Sequence, residues 1–228
     1  MRIDILTIFP EYFSGILKAS LIGKGIEAGK IDIRLHQLRD WATDKHHTVD
    51  DTPYGGGHGM VMKIEPLVAA IEAIAGPNAI KLLLAARGES FTQEKAATLA
   101  RADQILLICG RYEGVDERLD SYIDGQIAIG DYVLNGGEAG AAVVIDAVTR
   151  LVPGIIGNPE SLETESFNQA LLEHPQYTRP EVFRDREVPS VLLSGNHAAI
   201  EKWRQEAAEK DTRARRPDLW RRNPKNKD

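Results

Sequence analysis

Residues 105–138 read ILLICGRYEGVDERLDSYIDGQIAIGDYVLNGGE, and this stretch decides the fold class. The run Ile105-Leu106-Leu107-Ile108-Cys109 is short and continuously apolar, as expected of a strand buried on both faces of a parallel sheet. It ends on Gly110, and Arg111-Tyr112-Glu113-Gly114 follows. A second apolar segment, Ile127-Ala128-Ile129, breaks at Gly130 into Asp131-Tyr132-Val133-Leu134-Asn135-Gly136-Gly137-Glu138. Two strand ends that empty into glycine-rich polar turns predict a ligand crevice at the carboxyl edge of a sheet. Two ordinary strand-to-loop turns satisfy the same spacing.

Outward from this stretch, strands and helices alternate, which predicts an α/β fold with a mostly parallel sheet. Arg2 to Phe9 reads as a strand with Ile3, Ile5 and Thr7 on one face and Leu6 and Ile8 on the other. Pro10-Glu11 then opens a helix carrying Ile16, Leu17, Leu21 and Ile22. Ile31, Ile33 and Leu35 alternate with polar residues as a second strand. Helices are predicted over 64–75, from Thr92 as N-cap, and over 139–152, with a strand over 80–85. The glycines Gly23, Gly25 and Gly29 mimic a dinucleotide fingerprint but follow a helix rather than a strand, so that reading fails.

Between the second strand and the helix at Ile64 lies a polar stretch, Arg39 to Met60, with Gly55-Gly56-Gly57 and Gly59. Its composition predicts neither helix nor strand, and its length marks a functional or disordered loop. Trp41 and Tyr54 among mixed charges suggest a substrate loop that orders on binding. His46, His47 and His58 lack the spacing and cysteine partners of a metal site, so no metal ligands are assigned.

The chain of 228 residues is long enough for one large domain with an appendage. The lone cysteine, Cys109, rules out an internal disulfide framework and reads as a small buried hydrophobe in a reducing cytosol. No apolar run approaches the length of a membrane span, and no signal peptide is evident, so a cytoplasmic location is expected. The net charge of −6 is uneven: residues 201–228 hold ten Lys or Arg against six acids, leaving −10 on the first 200. A basic end on an acidic body is compatible with a polyanionic partner, but on charge alone a solvated tail is the better account.

Five motifs are spaced as in one family. They are Asp50-Asp51-Thr52-Pro53-Tyr54-Gly55-Gly56-Gly57, Cys109-Gly110-Arg111-Tyr112-Glu113-Gly114, Ile129-Gly130-Asp131-Tyr132-Val133-Leu134, Tyr177-Thr178-Arg179-Pro180 and Leu192-Leu193-Ser194-Gly195-Asn196-His197. The chain resembles the bacterial tRNA (guanine-N1)-methyltransferases, the TrmD family of the SPOUT superfamily, from its first strand to about residue 220. The resemblance implies a deep trefoil knot, an exception to the rule against threaded loops. It also implies a homodimer with its active site at the subunit interface, acting on the anticodon stem-loop of tRNA. Methyl transfer would run from S-adenosylmethionine to N1 of guanosine at tRNA position 37. The implied domains are a knotted donor-binding domain over 1–154, a linker over 155–167 and a helical tRNA-binding domain over 168–228.

By the same resemblance, Leu84, Ala85, Gly110, Tyr112, Glu113, Ile129, Gly130, Asp131, Tyr132, Val133, Leu134, Gly136 and Gly137 would hold the donor. Asp50, Tyr54, Gly55, Gly56, Gly59, Ser194, Gly195, Asn196 and His197 would meet the RNA. Guanine N1 carries a proton at neutral pH, so a carboxylate base is needed, with a cation or N–H donors to take the charge that develops on O6. Glu165 aligns with the base and Arg150 with the cation, although the family usually has Asp at the former, and Glu163 is the alternative base. A second departure is Leu83-Leu84-Ala85-Ala86-Arg87-Gly88, where the family has an aromatic residue and a Ser-Pro-Gln-Gly turn. Relatives imply a Mg²⁺ requirement, for which no dedicated cage of oxygen ligands is visible. The rival readings are another SPOUT RNA methyltransferase and an RNA-binding protein without catalysis.

Overall fold

The computed structural model describes residues 1–158, 162, 165–167 and 170–223, which divide into two compact units, Met1–Gly157 and Asn158–Asp228. The first unit is an α/β sandwich. Its strands are β1 (Arg2–Thr7), β2 (Asp32–Gln37), β3 (Asp50–Asp51), β4 (Val61–Met62), β5 (Ile80–Ser90), β6 (Gln104–Cys109) and β7 (Gly125–Ala128). Its helices are α1 (Ser20–Glu27), α2 (Ile64–Ile74), α3 (Gln93–Leu99) and α4 (Glu138–Thr149). Five strands form one parallel sheet in the order β2-β1-β6-β5-β7.

The alternation of side chains along each strand divides the core in two. Ile3, Ile5, Leu82, Leu84, Ile105, Leu107 and Cys109 pack on one face with Val144, Ile145 and Val148 of α4. Leu6, Ile8, Leu83, Leu106 and Ile108 face the other way, against Leu67, Ala70 and Ile71 of α2. All six residues of β6 are buried, because it is the middle strand and helices cover both sides. Each such Leu or Ile contributes about 1.5–3 kcal/mol by leaving water.

Three expectations need correction. The helix predicted from Pro10 is broken into 3-10 turns at Pro10–Phe13 and Ile16–Lys18 before α1, because Ala19 is extended at φ −96° and ψ 147°. The stretch predicted to hold no strand contains β3, which pairs antiparallel with β4 through Asp50↔Met62 and Asp51↔Val61. Finally β5 does not stop at Ala85. It pairs with β7 through Leu84↔Ile127, bulges away over Ala85–Gly88, and returns at Glu89↔Ile127. By contrast Thr92 caps α3 as expected, its hydroxyl accepting from the Lys95 amide at 3.3 Å. Gly23 of the rejected fingerprint lies inside α1, where a Cβ would come within 2.7 Å of the Lys18 carbonyl oxygen.

The second unit contains a hairpin of β8 (Val182–Phe183) and β9 (Arg186–Glu187), then α5 (Ser190–Leu193), α6 (His197–Arg215) and α7 (Pro217–Arg222). Its buried side chains include Leu171, Ala208, Thr212 and Leu219. Thr212 ties the segment before the hairpin to α6: its hydroxyl donates to the Ala208 carbonyl at 2.7 Å and accepts from the Leu172 amide at 2.8 Å.

Candidate active site

Because β6, β5 and β7 run parallel and adjacent, their carboxyl ends open on one edge of the sheet. A cavity of about 530 Å³ lies there, within the size range of a small-molecule pocket. Leu84 and Ala85 contribute from β5, and Gly110, Tyr112 and Glu113 from the turn after β6. Ile129, Gly130, Tyr132, Val133, Leu134, Gly136 and Gly137 contribute from the loop after β7. Asp131, expected among them, is exposed and does not line the cavity.

Close packing explains the glycines. The Gly137 amide donates to the Gly110 carbonyl at 2.8 Å, and a Cβ on Gly137 would stand 2.8 Å from the Cys109 Cα and 2.9 Å from the Leu84 Cβ. The loop after β7 therefore crosses the ends of β5 and β6 at backbone contact, where no larger residue fits. Gly114 completes a turn in which its amide donates to the Arg111 carbonyl at 3.2 Å. Within that turn Tyr112 adopts φ 61°, a left-handed conformation costly for a bulky side chain and concentrated at functional sites.

Behind the cavity wall sits a buried ion pair. Glu138, 1% exposed at the first position of α4, accepts from Arg111 Nε at 2.9 Å and from the Thr7 hydroxyl at 2.7 Å. Arg111 also donates to the Asn135 carbonyl at 3.3 Å and stacks its guanidinium over the Phe9 ring at 4.6 Å. The helix N-terminus favours the carboxylate, and the charge partner and hydroxyl satisfy it, so burial is tolerated. This arrangement locks the turn after β6, the loop after β7 and the end of β1 into one frame. Burial pushes the Cys109 thiol well above its usual range, with the Glu138 charge adding to the effect, so it is no nucleophile at neutral pH.

The glycine-rich loop is stitched to the same turn. The Met62 amide donates to the Gly114 carbonyl at 2.9 Å, and the Glu113 amide to the Met60 carbonyl at 3.0 Å. The Arg111 amide meets the Met62 sulfur at 3.1 Å. Asp50 of β3 lies beside Tyr112, whose phenol is raised by partial burial first and by the Asp50 carboxylate second. Tyr54 is fully exposed, and Gly55, Gly56 and Gly59 take φ 86°, 79° and 81°, reserved in practice for glycine.

The remaining expected residues fall at the end of the first unit and in the second. Arg150 forms the C-cap of α4 in the first unit, whereas half-buried Glu165 belongs to the second. Glu163, the alternative base, lies outside the described residues, as do 159–161, 164 and 168–169 around the linker and 224–228 of the basic end. Ser194, Gly195, Asn196 and His197 form the junction into α6: the Asn196 side chain accepts from the Ala199 amide at 3.2 Å, and the Ser194 hydroxyl accepts from the Asn196 amide at 3.2 Å. That capping role accounts for Ser194 and Asn196 by itself.

Sequence reasoning quoted Arg111, Glu138 and Arg87 but gave them no role, and passed over Glu117 and Gln126. Arg87, Glu117 and Gln126 line the cavity with Arg111. Their signal was weak, since each pairs with a residue distant in sequence. Among the described residues no group of three or more His, Cys, Asp or Glu side chains could hold a metal ion, and no helix is long and apolar enough to cross a membrane.

Comparison with known proteins gives this geometry its context. The family model described as tRNA (Guanine-1)-methyltransferase TrmD matches residues 1–222. A protein of Geobacter metallireducens named tRNA (guanine-N(1)-)-methyltransferase is 52% identical over 222 residues, covering 96% of this chain and 91% of the relative. Proteins of the same name from Thermomicrobium roseum and Geobacillus kaustophilus are 54% and 52% identical, each covering 96% of this chain and 83% and 91% of theirs. With a family model spanning nearly its whole length and relatives more than half identical, the chain belongs to the tRNA (guanine-1)-methyltransferase family, TrmD.

Proposed function

We propose that the protein transfers a methyl group from S-adenosylmethionine to N1 of the guanosine at tRNA position 37, beside the anticodon. The observation that carries this reading is the 530 Å³ cavity at the carboxyl ends of β5, β6 and β7, built from three glycine-bearing loops in a chain of this family. Its volume suits a nucleoside-sized donor, and the backbone approach at Gly110 and Gly137 leaves main-chain groups at its wall to read a base. The bound donor supplies a sulfonium already reactive enough to lose its methyl group without further activation.

The protein's own work is on the guanine. Glu165 takes the N1 proton as general base, and Arg150 offsets the negative charge that grows on O6. The N1 lone pair then forms the new N–C bond while the S–C bond breaks towards sulfur, leaving a neutral thioether. Leu84, Ala85, Gly110, Tyr112, Glu113, Ile129, Gly130, Tyr132, Val133, Leu134, Gly136 and Gly137 hold the donor in this reading, with Asp131 exposed in the same loop. Asp50, Tyr54, Gly55, Gly56 and Gly59 meet the RNA, and the fully exposed Tyr54 ring is suited to stacking on an unpaired base. Ser194 to His197 orient α6 for the tRNA backbone.

The domains 1–154, 155–167 and 168–228 then divide donor binding, linkage and RNA binding. The passage of residues 136–140 against the ends of β5 and β6 supports a chain threaded through a trefoil knot. A homodimer would bring Glu165 of one subunit to the donor cavity of the other, in the cytoplasm where tRNA is modified. Any Mg²⁺ arrives with the substrate.

The test is transfer of labelled methyl from S-adenosylmethionine to tRNA transcripts carrying guanosine or adenosine at position 37. Label recovered as 1-methylguanosine from the first transcript alone is expected. Label in both would indicate a different RNA methyltransferase, and label in neither an RNA-binding protein without catalysis. Glu165→Ala should abolish transfer while leaving donor binding within a few fold; full activity would move the base role to Glu163.

A further inference from the structure

The rim of the cavity carries a charge cluster specific to the departure at residues 85–88. Arg87 sits on the bulge of β5 and Glu117 at the start of the 3-10 turn Glu117–Ser121, and both line the cavity. Arg87 Nη2 lies 2.6 Å from Glu117 Oε2 and 3.7 Å from Asp120 Oδ2, while its Nε donates to the Gln126 side-chain oxygen at 3.1 Å. Gln126 in turn donates to Asp120 Oδ1, closing the ring of contacts. The side chains of Arg87, Glu117 and Asp120 are 54%, 71% and 48% exposed, so the cluster is wet and adds little to stability.

Its electrostatic effect on a ligand is another matter. The cavity lining presents two cations, Arg87 and Arg111, and two anions, Glu113 and Glu117. Asp120 and Glu138 stand directly behind, bonded to the lining groups, so the surroundings are net negative. S-adenosylmethionine carries one net positive charge at neutral pH, from sulfonium, ammonium and carboxylate together. The demethylated thioether product has lost the sulfonium and carries none. The two differ by a single methyl group in shape but by a full charge.

We propose that Arg87 and Glu117 form a charge pair at the cavity rim that sets the preference for the cationic methyl donor over its neutral product. The proposal rests on the reading of this cavity as the donor site. Glu117 and Asp120 attract the donor more than the product, and Arg87 limits that attraction, so the pair tunes both donor capture and product release. A glutamine at position 87, the residue type of the family's turn, keeps a side-chain N–H donor and removes the charge.

The test is calorimetric titration of the full chain, Arg87→Gln and Glu117→Gln with S-adenosylmethionine and with S-adenosylhomocysteine, in about 50 mM and about 500 mM salt. Arg87→Gln should raise the ratio of product Kd to donor Kd by about three- to tenfold at the lower salt. Glu117→Gln should lower that ratio by a similar factor, and both changes should shrink at the higher salt. Equal shifts for donor and product in either variant, or a ratio unchanged within about twofold in both, would overturn the proposal and leave the pair a strut between the bulge and the turn. Failure of the unaltered protein to bind either ligand would instead remove the donor-site reading, and this proposal with it.

Discussion

The two units of this protein are held together by different physics. In Met1–Gly157 a five-stranded parallel sheet separates two apolar clusters, and β6, one of the strands that end at the candidate site, is buried along its whole length. Among the described residues of Asn158–Asp228 buried apolar side chains are few and aromatic rings are shared with polar partners. Trp203 lies 6.5 Å from the His174 ring and 6.2 Å from the Tyr177 ring, while Arg213 stacks on Trp220 at 4.6 Å and Arg216 on Phe167 at 5.8 Å. The contrast teaches that a cavity made of strand ends needs a rigid sheet behind it, whereas a unit that encloses no such cavity can rest on half-wet stacks.

Perturbations should therefore separate the units. The largest effect is expected at Gly137→Ala, whose Cβ meets backbone atoms of Cys109 and Gly110 rather than a movable side chain. It should cost about 3 kcal/mol or more in denaturant unfolding and eliminate binding of S-adenosylmethionine. Retained binding would mean that the loop after β7 can shift without loss of the site. Next comes Leu107→Ala in β6, fully buried, expected to cost about 2–5 kcal/mol by chemical denaturation while leaving donor affinity nearly intact where folded.

A smaller change belongs to the second unit. Trp203→Ala removes two ring contacts and should cost about 1–2 kcal/mol in that unit's melting transition, with donor binding unchanged within about twofold. A drop in donor affinity would show that the units are energetically coupled. The smallest effect concerns pH. Partial burial, aided by the positive charge of Arg204, holds His174 below its usual value. Its folded state favours the neutral ring, so its contribution is complete above pH ~6.5 and is lost as pH falls through the lower folded value. Trp203 emission should follow this loss in acid, and His174→Gln should flatten the profile.

Much of the first unit was legible because strand faces obey a period of two: the assignment of Ile3 and Ile5 to one side and Leu6 and Ile8 to the other is the division seen between the two clusters. The glycine turns at Gly110 and Gly136-Gly137 were legible as a crevice because strand ends and glycines are local signals. The return of β5 to β7 was not, since Glu89 pairs with Ile127 only once the bulge has cleared the strand end. Nor was the Arg111–Glu138 pair, whose members are 27 residues apart and meet only because two loops converge. Ser194-Gly195-Asn196 shows the converse, for a motif read as RNA contact also serves to start a helix.

Cys109 gives the molecule an internal clock. It is the single thiol, lies on the middle strand of the sheet and is shielded completely. A thiol reagent can reach it only when β6 opens, so the rate of modification under native conditions reads out the rarest breathing motion of the sheet. Any ligand that seats against the ends of β5 and β6 should slow that reaction, whether or not methyl transfer takes place.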